Sequence, residues 1–342
     1  PWTRSALAAR TGLLVAVALA ATACSATSSK DTGSTPPDPP AASSTAAHAP
    51  TTAPPPATHS PPAAPGRPVH VSLFQGDGQT YGVGFAIIAQ FDVAPTNSGA
   101  FTRAVTVSVN GKPAGGAWFW QRSEIPGYAV EALYRLRTYW PAHAKIFAKL
   151  PLKGLSAGAG LSYDDNLTLS MSTGARNIST VDNATHMMTV TSDGRVVHRM
   201  PVSLGAGDTP TYNGTKVIMQ KGEDVPGTRT PRPLGEVRMT SAPGEAYYSL
   251  LVPWSLRITN SGEYVHAASW NTGNIGSRNT SHGCTNLDVA AAEWFYRFAQ
   301  IGDVVLYPNA NTQHKSPPSW DGWGWWNLPW TQWAAGGLLL NH

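Results

Sequence analysis

From residue 67 the chain runs in short stretches that alternate apolar and polar side chains, separated by Gly, Pro, Asn and Asp. In AVTVSVNGKP, Val105, Val107 and Val109 fall on one face and Thr106 and Ser108 on the other, ahead of an Asn-Gly turn. NLTLSMSTG repeats the alternation with Leu167, Leu169 and Met171. A period of two is that of a strand with one buried face, and turn-punctuated strands in series predict a β-sandwich of immunoglobulin-like type over residues 67–178. That region carries no cysteine pair and no cluster of nucleophiles or metal ligands, so it reads as a spacing or docking domain.

A second β-rich domain is predicted over 179–308. HMMTVTSDGRVVHRMPVSLG has the form of a hairpin with Asp193-Gly194 at its turn, and further strands are expected in GTKVIMQ, SLLVPWSLRIT, EYVHAAS and DVVLYP. Between the last two lies DVAAAEWFYRFAQIG. Here Asp288 suits a helix N-cap, Leu287, Ala291, Phe295 and Phe298 form one stripe, and Gly302 follows the end. The fold class is thus mainly β with a short helix. The last segment, 309–342, holds six of the thirteen tryptophans within residues 320–333. Exposed at that density they would make an adhesive patch, so the segment is expected to pack back on the second domain, 179–308.

Composition changes the picture at the N-terminus. Arg4 and Arg10, an apolar run too short to span a bilayer, and small residues up to Cys24 have the layout of an export signal over residues 1–24. Because ATAC ends in cysteine, it resembles the lipobox of bacterial lipoproteins, in which that cysteine carries lipid. Residues 25–66 are Pro, Ala, Ser and Thr with few bulky apolar side chains, and are expected to form a disordered tether between a membrane and the folded domains. The net charge of +4 is mild and no Lys/Arg cluster or aromatic platform points to nucleic acid.

The chain has two cysteines, one at each end, so no structural disulfide is expected and Cys284 is a lone thiol. Three readings of it are open: a buried inert thiol, a zinc ligand with His266 and His282, or a nucleophile. The zinc reading lacks a clear fourth ligand. For the nucleophile, Cys284 is expected at a helix entrance, where the helix dipole and a nearby imidazolium favour thiolate. Gly283 allows a tight backbone path, and a strand-borne His266, held through one nitrogen by a backbone carbonyl, is the better base than His282.

His266, fourteen intervening residues and then Ser281-His282-Gly283-Cys284-Thr285-Asn286 resemble the signature of the L,D-transpeptidases, peptidoglycan cross-linking enzymes with a YkuD-like catalytic domain. LLVPWSLRITNSGEYVHAASW, LDVAAAEWFYRFAQIGDVV and TPTYNGTKVIMQK are similar to the family's flanking segments. A preceding immunoglobulin-like domain, a lipoprotein-like start and a Trp-rich tail resemble the actinobacterial members. The order histidine before cysteine is opposite to that of papain-like hydrolases, a sortase threonine-cysteine signature is absent, and so are the motifs of penicillin-binding serine enzymes. The resemblance implies no cofactor and no metal. It implies two substrates, a donor tetrapeptide stem and an acceptor stem, and places the protein outside the cell membrane facing the wall. Cys284 would be the nucleophile, His266 the base, and His282, Gly283 and the Cys284 N–H the oxyanion site. Ser281 and Asn286 would hold the loop. At Ala267 relatives often carry Ser, but the family uses the backbone carbonyl there. Residues 221–248 look like a lid in which Tyr247 or Tyr248 lines the pocket. An L,D-carboxypeptidase on the same scaffold and an inactive wall-binding lipoprotein are the alternatives.

Overall fold

The computed structural model describes residues 66–222, 235–240, 249–318, 321 and 324–338. The export signal with Cys24, the tether up to residue 65, and Tyr247 and Tyr248 lie outside the described residues.

Residues 66–173 build two facing sheets and a small third one. One sheet is antiparallel, in the order Val71–Leu73, Ile87–Phe91, Val130–Leu136 and Gly116–Arg122. The other runs Thr80–Tyr81, Leu167–Thr173, Lys145–Leu150, Thr106–Val109 and Lys112–Pro113. Alternation sets their faces: Ile146, Ala148 and Leu150 are buried while Lys145, Phe147 and Lys149 between them are exposed. The core that closes the sandwich is aromatic. Phe101 meets Phe91 at 5.2 Å and Trp118 at 5.1 Å, both edge-on, the arrangement that ring quadrupoles favour. The Asn-Gly turn is present with positive φ at both positions, 50° at Asn110 and 77° at Gly111, as a tight hairpin with the native strand twist requires.

The second half contains a five-stranded sheet in the order Arg195–Pro201, Met187–Ser192, Asn177–Asp182, Val304–Tyr307 and Gly214–Val217. A four-stranded sheet takes Gln220–Lys221, Leu256–Arg257, Tyr264–Ala267 and Thr285–Leu287. Between these lies a core of Val190, Leu204, Ile258, Val265, Leu287, Phe295 and Tyr307, among others. Asp288 caps the helix Val289–Phe298 by accepting from the Ala291 N–H at 2.9 Å. The buried stripe differs from the one expected. Leu287 belongs to the preceding strand, and the helix buries Ala291, Ala292 and Phe295 while Phe298 stacks on Trp294 at the margin.

Two sequence expectations are corrected here. Cys284 does not stand at the helix entrance, because the strand Thr285–Leu287 intervenes before the cap. The dipole, which acts over about the first turn, therefore does not reach it. The tail does not pack on the catalytic domain alone. Asn311 and Asp321 bind there, Asn311 donating to the Thr211 carbonyl at 2.7 Å and Asp321 accepting from both the backbone and the hydroxyl of Ser261 at 2.6 Å. The described tryptophans of the tail join the immunoglobulin-like core as well, while Asn327 among them bonds both backbone groups of Thr215 in the catalytic half. Trp325 and Trp333 are buried in it, and Trp333 stacks on Phe119 at 4.9 Å. Arg135 supplies the reason: its guanidinium lies over the rings of Trp326, Trp330 and Trp333 at 4.5, 5.5 and 4.4 Å, and it donates to the carbonyls of Trp325 and Leu328.

Candidate active site

The strands Tyr264–Ala267 and Thr285–Leu287 pair in parallel, with His266 opposite Asn286 and Val265 opposite Thr285. Partners across a ladder face the same side, and so do residues two apart on one strand. Cys284, just before the second strand, therefore shares a side with His266 and Asn286. All three line one cleft of about 300 Å³, with Met239, Leu250, Val252, Trp270, Ser281 and His282 also on its wall.

His266 is 3% exposed, and its Nδ1 lies 2.8 Å from the Ala267 carbonyl oxygen. A carbonyl only accepts, so Nδ1 carries the proton of the neutral ring and Nε2 is left as the basic nitrogen. Trp270 stacks over the imidazole with a centroid distance of 5.9 Å and an interplanar angle of 27°. Burial pushes the ring down to about 4, and the bond to Ala267 offsets this in part. Cys284 is free and partly accessible, and its Sγ–H points to the Gly262 carbonyl at 3.7 Å. Burial also pushes the thiol up to about 12, against the Tyr264 N–H, which favours the thiolate. The expected thiolate is thus corrected to a resting pair of thiol and neutral imidazole, since desolvation penalises both charges and no helix dipole counters it.

Gly283 has φ +115°, a conformation that side chains other than glycine rarely adopt. Its N–H donates to Ser281 Oγ at 3.2 Å, the Ser281 hydroxyl donates to the Cys284 carbonyl at 2.6 Å, and Thr211 Oγ1 donates to the Gly283 carbonyl at 2.7 Å. The Gly283 N–H thus meets the Ser281 hydroxyl within the loop, and the glycine conformation supplies the tight turn before Cys284. Asn286 is bonded through both backbone groups to Ser203 and is 3% exposed, while His282 is exposed at the mouth.

The described part of the segment 221–248 includes Val237–Thr240, paired antiparallel with Ser249–Val252, and this hairpin brings Met239, Leu250 and Val252 to the cleft. Tyr296 donates to the Gly222 carbonyl at 2.7 Å, and Gly235 has no room for a side chain because a Cβ would stand 2.4 Å from the Tyr296 ring. Sequence reasoning did not single out Trp270, whose signal was its place four residues after His266 in HAASW. Nor did it single out Lys216 and Glu263, which meet at 2.6 Å beneath the loop. Lys216 was visible as a lone charge inside the apolar strand GTKVIMQ. Among the described residues no group of three or more His, Cys, Asp or Glu is placed to hold a metal ion.

Residues 176–306 match the model of the L,D-transpeptidase catalytic domain, YkuD, and residues 47–156 that of a bacterial Ig domain. The chain is similar to L,D-transpeptidase 2 of Mycobacterium tuberculosis, with 32% identity over 79% of this chain and 63% of that protein. With L,D-transpeptidase 5 of the same species it shares 30% identity over 80% of this chain and 57% of that protein, so it spans about three-fifths of the length of these relatives. Among solved structures it is similar to LD transpeptidase LdtMt1 in complex with imipenem, with a TM-score of 0.54 and 25% identity over 69% of this chain and 96% of that one. An L,D-transpeptidase from Mycobacterium smegmatis gives a TM-score of 0.53 and 28% identity over 70% of this chain and 99% of that one.

Proposed function

We propose that this chain, which carries an L,D-transpeptidase catalytic domain of the YkuD family behind a bacterial Ig domain, cross-links peptidoglycan stem peptides through a thioester on Cys284. The observation that carries the reading is a free thiol and a neutral histidine of defined tautomer facing one cleft from paired strands. In the first step His266 Nε2 takes the thiol proton as sulfur attacks the carbonyl of the L-centre of the donor's diamino acid. The proton then passes to the leaving amine and the terminal D-Ala departs, leaving the thioester. In the second step the side-chain amine of the acceptor's diamino acid attacks, His266 takes its proton, and the thiol is restored. Charge separates only as sulfur attacks, which suits groups that rest uncharged in a desolvated site. His282, Gly283 and the Cys284 N–H are the oxyanion contacts of this reading, and Ser281 and Asn286 hold the loop.

Apolar walls from Met239, Leu250 and Val252 disfavour bulk water at the thioester and so favour transfer to a positioned amine over hydrolysis. The chain incubated with tetrapeptide stems is expected to release D-Ala and to yield a dimer one D-Ala lighter than two donors. Tripeptide without dimer would identify a carboxypeptidase, and no D-Ala from any stem isomer would leave a wall-binding module. The LdtMt1 complex extends the reading to imipenem, which is expected to add one drug-sized mass to this chain and none to Cys284→Ala. The ATAC site and the tether behind it support a lipoprotein on the outer face of the cell membrane, anchored at Cys24. Acyl-chain labelling of intact cells tests this, and an unlabelled wild type would end it.

A further inference from the structure

The two backbone groups that meet the Cys284 sulfur, the Gly262 carbonyl and the Tyr264 N–H, flank one residue, Glu263. Its side chain turns inward and is 7% exposed. One carboxylate oxygen accepts from the Tyr212 N–H at 2.7 Å, and the other lies 2.6 Å from Lys216 Nζ, on a side chain with no exposure. Neither Nζ nor that second oxygen has another hydrogen-bond partner among the described residues, so each charge depends on the other. Lys216 Nζ also sits 3.9 Å from the centroid of the Tyr307 ring, and the Tyr307 hydroxyl shares a hydrogen bond with Thr285, the residue after the nucleophile. From the other side Thr211, next to Tyr212, holds the Gly283 carbonyl. The segments 211–216, 262–264 and 283–285 thus converge on one buried ion pair. Such a pair stabilises a core less than well-packed apolar side chains of the same volume do, so folding alone gives no reason for it here.

We propose that Glu263 and Lys216 are positioning residues for the reaction at Cys284: their ion pair holds the Gly262 carbonyl and the Tyr264 N–H against the sulfur and balances the charge that the thiol faces. This rests on Cys284 being the acyl-transfer nucleophile. The ionisable groups that act on the thiol from the packed elements are Glu263, which disfavours the thiolate, and Lys216, which favours it; the thiol in turn acts on Tyr264 and Tyr307, and Asp321 acts on both members of the pair. His266 faces the same cleft. A balanced pair leaves Cys284 a thiol until substrate and His266 act together. For an exported enzyme this limits oxidation, which proceeds through the thiolate.

The test uses the full chain as wild type, Glu263→Gln, Lys216→Met and the double variant, each first shown folded by thermal unfolding. The double variant leaves no lone buried charge and so is the one least prone to unfold. Two readouts are taken: alkylation by iodoacetamide on the Cys284 peptide by mass spectrometry across a pH series, and D-Ala release from stems. Glu263→Gln removes the carboxylate that disfavours the thiolate at Cys284 and leaves the Lys216 amine beside it. Its alkylation at fixed pH is expected to rise about tenfold, the equivalent of one pKa unit, while kcat for D-Ala release falls at least tenfold with KM little changed. Lys216→Met is expected to show no such rise and the same fall in kcat. The double variant should alkylate within about threefold of wild type yet release D-Ala slowly, because the balance is restored and the clamp is not. Folded variants that all match wild type in both readouts would overturn the proposal, as would a double variant with wild-type kcat. If wild type releases no D-Ala while the alkylation pattern is as expected, the charge balance stands and it is the functional reading that fails.

Discussion

Lowering the pH from about 7 to about 4 protonates a histidine in an unfolded chain long before it protonates His266 in the folded protein. The free side chain titrates near 6.5, whereas burial holds His266 near 4. The folded value lies below the unfolded one, so between the two the unfolded state binds more protons. Stability from this residue is present in full above about 6.5, falls as the pH drops through the interval, and levels off below about 4. At 1.36 kcal/mol per unit the loss comes to about 3 kcal/mol, a large share of the net stability of an ordinary domain. Urea unfolding followed by circular dichroism across this range, on wild type and on His266→Gln, isolates the term, because the carboxylates titrate alike in both. Wild type is expected to lose about 3 kcal/mol more than the variant on acidification. The acid limb of D-Ala release should fall near pH 4 rather than near 6.5, since the base acts as the neutral ring. Parallel stability curves together with an acid limb near 6.5 would refute the burial argument.

Trp270→Ala uncovers the His266 ring, so the acid limb is expected to move up toward the ordinary imidazole value, with D-Ala release at neutral pH down about tenfold; pH–rate profiles check both. Gly283→Ala meets no steric block, since its Cβ would come no closer than 3.7 Å to Glu263, but the φ of +115° is strained for any other residue. A stability loss of about 1–3 kcal/mol by urea unfolding and a drop in D-Ala release of at least tenfold are expected. Arg135→Met removes the cation from three indole faces and the donors from two carbonyls of the tail. Unfolding of the immunoglobulin-like domain should come about 2–4 kcal/mol earlier, with loss of near-ultraviolet ellipticity, while imipenem labelling of Cys284 is retained at low temperature.

What was legible in the sequence was local. Alternation at Val105, Val107 and Val109 and the Asn110-Gly111 and Asp193-Gly194 turns announced strands, because a period of two and a positive φ are properties of neighbouring residues. Asp288 announced its helix for the same reason, and the signature from His266 to Cys284 announced the YkuD catalytic domain. The parallel pairing that sets His266 and Cys284 side by side depends on a sheet assembled from segments far apart in the chain. Their charge states depend on it too, since desolvation is a property of the closed site and not of either residue. Lys216 and Glu263 are 47 positions apart, and only the enclosed space beneath the loop makes a pair of them. The tryptophans of the tail declared that they would be buried without saying where. That was decided by Arg135, whose buried cation needs several π faces and carbonyls at once, a demand that exists only after the strand Val130–Leu136 has taken its place in the sandwich.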